Sequence, residues 1–100
     1  MDGFGRIASS LPLVREARSG GLLRWQCGGR LIARQLDGNL VVVRASFDTR
    51  DVLIHQFPET FSVPRRFEKH MMVVADLANG DEDAIEDAVT SAWRLQTETD

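Results

Sequence analysis

Apolar positions along this chain recur first at helical spacing, then at alternating spacing, then at helical spacing again. Phe4, Ile7, Ala8 and Leu11 fall on one helical face, with Asp2 as a cap and Pro12 as the stop. Ser19-Gly20-Gly21 reads as a break. Three strands are expected next: Leu22 to Cys27, Arg30 to Leu36, and the valine-rich Leu40 to Ala45. Gly28-Gly29 and Asp37-Gly38 suit the tight turns between them. Asp48 is placed to cap a short helix that ends at Pro58, with Phe47 stapled onto Val52. Thr60 to Val63 and Met71 to Leu77 read as two more strands. Ile85, Ala88, Val89, Ala92 and Trp93 then share one helical face, with Asp81 as the cap. The expected order is α-β-β-β-α-β-β-α. That is an α+β fold in which a single antiparallel sheet carries its helices on one face.

Composition narrows the class. The chain has 100 residues, 43% hydrophobic and 27% charged, which fits one domain over residues 1–100 and excludes a largely disordered chain. No apolar run approaches the ~18 residues of a membrane span. The first residues lack a basic start followed by a long apolar stretch, so a cytoplasmic protein without membrane partners is expected. Cys27 is the single cysteine, which rules out an intrachain disulfide and a Cys-rich zinc site. The net charge of −3 conceals an asymmetry. Residues 1–70 hold 11 basic and 7 acidic side chains; residues 71–100 hold 1 and 8. A basic body is therefore followed by an acidic helical segment, whose acids suit the start of a helix dipole.

Several stretches together resemble the MmcQ/YjbR family. They are Leu11-Pro12, Trp25-Gln26-Cys27-Gly28-Gly29-Arg30, Phe47-Asp48, Pro58-Glu59-Thr60-Phe61 and Ala92-Trp93-Arg94. The resemblance covers about Ile7 to Arg94. It implies a frataxin-like (CyaY-like) α+β fold, no established reaction, and a role in DNA binding. Arg65, Arg66 and Phe67 stand where the family tends to carry Pro-His-Tyr, and His70 and Met71 where it tends to carry Tyr-Pro. The region thereby gains positive charge.

Two basic constellations are candidates. Strand alternation puts Arg24, Arg30, Arg34 and Arg44 on the helix-free face, interleaved with Ile32 and Val42. Such a face suits a phosphate backbone or a partner protein; it also suits plain solvation, with arginine stems covering apolar atoms. Arg65, Arg66 and Lys69 flank Phe67, a pattern able to grip phosphates and stack on a base, or simply to form a polar connection. Arg6, Arg15 and Arg18 can add to the same field. The nominated nucleic-acid-binding residues are Arg30, Arg34, Arg44, Arg65, Arg66 and Lys69. Cys27 reads as a buried thiol and His55 and His70 as satisfied or solvated side chains, with no metal-ligand spacing. There is no P-loop, dinucleotide fingerprint, Gly-x-Ser-x-Gly elbow or His-Glu-x-x-His. The expectation is a non-catalytic DNA-binding module with no cofactor and no metal. The alternative is a protein-interaction or self-associating module that uses the Arg/Ile/Val sheet face.

Overall fold

The computed structural model describes residues 2–98. Its elements are α1 (Asp2–Ser10), β1 (Val14–Ser19), β2 (Leu22–Cys27), β3 (Arg30–Asp37), β4 (Leu40–Arg44), α2 (Phe47–Gln56), β5 (Phe61–Ser62), a 3₁₀ turn (Arg65–Phe67), β6 (Met72–Asp76) and α3 (Glu82–Glu98). The strands form one sheet in the order β1-β2-β3-β4-β6-β5, and every neighbouring pair is antiparallel. The expected α+β architecture stands, with one strand more than the sequence pattern indicated.

That extra strand is β1. All of its residues after Val14 are exposed, so it carries no apolar alternation. Hydrogen bonding to β2 makes it a strand, and Gly20-Gly21 is the hairpin turn between them and not a break. Both glycines have positive φ (59° and 80°), as do Gly28 and Gly29 (58° and 81°). Two-residue turns of this hand match the twist of the strands they join and need residues without a Cβ penalty.

The core lies between the sheet and the three helices. Trp25, Ile32, Val41, Val43, Phe61, Val73, Ile85 and Val89 are buried there. Trp25 is anchored at both ends. Its ring meets Phe4 edge-on at 4.9 Å, and its Nε1 donates to Glu16 Oε1 at 2.9 Å. Asp81 caps α3 as expected, with its carboxylate accepting from the Ala84 N–H at 3.0 Å. Trp93 packs against the core and donates from Nε1 to the Pro12 carbonyl. The Asp2 side chain, expected to cap α1, lies outside the described residues.

α2 differs from expectation. Ser46 is its cap, extended at φ −64° and ψ 159°, and its hydroxyl accepts from the Thr49 N–H at 3.2 Å. Asp48 sits inside the first turn. Phe47 and Val52 are both largely exposed and form no staple. Phe47 instead lies under the Arg50 guanidinium, 4.8 Å from its ring centre.

Candidate nucleic-acid interface

Side chains directly opposite in an antiparallel pair share a face, so the register fixes what the helix-free face displays. Trp25 and Ala33 are paired and belong to the helix-side core. Arg24 and Arg34, one position along, are therefore paired on the other face. The row continues from Arg34 to Val42 and on to Val74. Arg44 pairs with Met72 on the same face, and in β1 Arg15 pairs with Gln26.

A bulge overturns part of the expected arrangement. The β2–β3 register shifts between Trp25 and Gln26, leaving Ile32 as the extra residue. Such a bulge breaks strict alternation. Ile32 is thereby turned into the helix-side core, fully buried. Arg30, opposite Cys27, follows it to the helix side, and its Nη1 donates to the Gln96 carbonyl of α3 at 3.0 Å. Arg30 and Ile32 do not belong to the helix-free face.

That face is not bare either. Val42, Met72 and Val74 form a second buried cluster, closed by Leu36 and by Phe67 of the 3₁₀ turn. Phe67 is half-buried and seats two guanidiniums. Arg66 lies 4.8 Å and Arg34 5.9 Å from its ring centre, both within cation–π range. His70 meets the same ring edge-on at 6.3 Å. The half-buried ring thus serves as a seat for arginines.

The segment bearing Phe67 is fastened from behind by Arg50. Its Nη1 donates to the carbonyls of Glu68 and His70, both at 3.0 Å. Arg50 is 14% exposed and lies 4.0 Å from Asp51. Turn bonds from Phe67 N–H to Pro64 O and from His70 N–H to Phe67 O complete the segment.

Of the six nominated residues, Arg34, Arg44 and Arg66 come together around the Val42–Met72–Phe67 cluster. Arg65 and Lys69 are exposed on the neighbouring 3₁₀ segment, and Arg30 is on the other side of the sheet. Arg24 joins the group through its pairing with Arg34. Its Nη2 and Nε both lie in reach of the Gln26 amide oxygen, at 3.0 and 3.2 Å. Arg44 Nε is buried without a hydrogen-bond partner. The ion pair recorded among the described residues is Arg50–Asp51, and no carboxylate pairs with Arg24, Arg34, Arg44 or Arg66. The acids of α3 lie elsewhere. Glu82, Asp83, Glu86 and Asp87 are exposed on α3, which packs on the opposite side of the sheet. Asp37 and Asp76 flank Leu40 at one end of the arginine face. The Asn79 side-chain amide, then the Asn79 and Ala78 N–H groups, hold the Asp76 carboxyl below its ordinary range against an opposing effect of burial.

Cys27 is buried, with its sulfur 3.9 Å from the Pro12 carbonyl. Among the described residues, no group of three or more His, Cys, Asp or Glu side chains is arranged to hold a metal ion, and no helix is long and apolar enough to cross a membrane. A pocket of about 270 Å³ between α1 and α3 is lined by Gly3, Phe4, Ile7, Leu77, Glu82 and Ile85, so it is mostly apolar with a single carboxylate. No protein family, curated protein or solved structure matches the chain.

The residues that sequence reasoning under-weighted are Arg24 and Arg50. Arg24 was legible from alternation alone. Arg50 was not, since a helix arginine reaching two carbonyls 18 and 20 positions away leaves no local pattern.

Proposed function

We propose that this domain is a non-catalytic DNA-binding module that holds backbone phosphates on its helix-free sheet face, through Arg24, Arg34, Arg44 and Arg66. One observation carries the reading. Arg24 and Arg34 stand directly opposite each other with no carboxylate between them, and Phe67 draws Arg66 into the same group. Like charges directly opposite destabilise a sheet. A fold that keeps them together, on the side away from the acids of α3, has the charge layout of an anion-binding surface. The resemblance to the MmcQ/YjbR family supports the same reading.

Titration against single-stranded and duplex DNA at two salt concentrations tests it. Four phosphate contacts predict a log–log salt slope of about −3 to −3.6. The Arg34→Ala/Arg66→Ala pair is expected to weaken binding at least about tenfold and flatten that slope by one to two. Affinity weaker than about 100 μM at low salt overturns the reading.

A protein-interaction role for the same face has less support. It relied on exposed Ile32 and Val42, and both are fully buried.

A further inference from the structure

β1 is the terminal strand of the sheet, six residues long and exposed beyond Val14. A free edge of this length is a template for another strand. We infer that it pairs with β1 of a second copy of this chain, antiparallel, about a two-fold axis that passes through Ala17.

The register follows from the sequence of the strand, Val14-Arg15-Glu16-Ala17-Arg18-Ser19. A two-fold axis normal to the sheet keeps each face continuous across the seam, so one residue must meet its own copy on the axis. Arg15, Glu16 or Arg18 in that place would set like charges directly opposite, which is unfavourable. Ala17 on the axis avoids this. It also brings Glu16 opposite Arg18 of the second copy, twice, and Arg15 opposite Ser19. Glu16 and Arg18 share the helix-side face, being paired with Trp25 and Leu23 of that core. The charges that normally protect an edge are thus self-complementary in this one register.

The ends of β1 agree. Leu13 is 85% exposed and Leu22 38% exposed, two of the large apolar side chains that the fold leaves in solvent. Leu13 also has φ +65°, a left-handed conformation in which L residues other than glycine are strained. In the Ala17 register, Leu13 of one copy reaches Gly21-Leu22 of the other. Both leucines gain cover at each end of the seam. The two arginine faces then point the same way, forming one surface over a twelve-stranded sheet, twice the six strands of the monomer. The pairing does not depend on DNA binding.

Cross-linking reads the register directly. Directly opposed Cα atoms lie ~4.5–5.5 Å apart, within disulfide range. Ala17→Cys is therefore expected to form a disulfide dimer under mild oxidation, Cys27 being buried. Ser19→Cys should not, because four positions of offset separate the two copies by roughly 13 Å. Sedimentation equilibrium of the unmodified protein is expected to show a concentration-dependent dimer, and Arg18→Glu to raise its dissociation constant at least about tenfold. A protein that stays monomeric at millimolar concentration overturns the inference. So does equal cross-linking of the Ala17→Cys and Ser19→Cys variants.

Discussion

At the scale of single residues, Phe67 joins two jobs that are separable by mutation. Its ring closes the small cluster of Val42, Met72 and Val74, and it seats Arg34 and Arg66. Phe67→Leu keeps an apolar plug of similar size, so the loss of stability should stay under about 1.5 kcal/mol. The cation–π seats vanish, however, and each is worth roughly 0.5–1 kcal/mol at a partly exposed site. DNA affinity should then fall about fivefold or more, while the melting temperature falls by no more than roughly 6–12 °C. Phe67→Ala also uncovers the cluster, which adds about 2 kcal/mol of destabilisation for a half-buried ring. Thermal melts read beside DNA titrations separate the two jobs. Equal affinity of the native protein and Phe67→Leu would show that the ring positions nothing.

At the scale of elements, the readable parts of the sequence are those whose pattern serves the main core. α3 announces itself through Ile85, Val89 and the Asp81 cap, and Gly28-Gly29 makes its hairpin as expected. β1 is silent because every residue of this edge strand beyond Val14 is exposed, leaving no alternation for a pattern to report. The bulge at Ile32 is silent for a different reason. Alternation is a local rule, and an inserted residue changes face only through its pairing with β2. Arg30 was misplaced by that one shift, whereas Arg34 and Arg44, beyond it, kept their expected face. The 3₁₀ segment looks in sequence like a plain connection, and its closing of the sheet face depends on Arg50, a contact far apart in sequence.

Arg50 is thus a positioning residue, and it acts through backbone. Hydrogen bonds to charged groups contribute about 1.5–3 kcal/mol, less where water can substitute. Arg50→Met should raise hydrogen-exchange rates of the Phe67 and His70 amides about tenfold relative to the β4 and β6 amides, which report global opening. DNA binding should weaken two- to fivefold, although Arg50 lies behind the segment and not on the arginine face. Uniform acceleration of exchange across the sheet would instead mean that Arg50 supports the fold as a whole.

At the scale of the whole molecule, the sheet divides the charge. Arg24, Arg34, Arg44 and Arg66 occupy one side and the α3 acids the other, so a net charge of −3 is compatible with a locally basic face. A helix packed on a sheet sets its outer charges more than ~10 Å from the opposite face, beyond the Debye length of ≈ 8 Å at 0.15 M salt. At low salt the Debye length reaches ≈ 30 Å, and the acids then oppose the arrival of DNA. Glu82→Gln, Asp83→Asn, Glu86→Gln and Asp87→Asn made together, with the Asp81 cap untouched, should speed association several-fold at about 10 mM salt. The same variant should match the native protein at 150 mM. Dissociation rates should be unchanged at both, because these side chains touch no phosphate in the proposed complex. Stopped-flow association at the two salt concentrations measures this. A gain that persists at 150 mM would place the acids beside the bound DNA and would move the interface off the helix-free face.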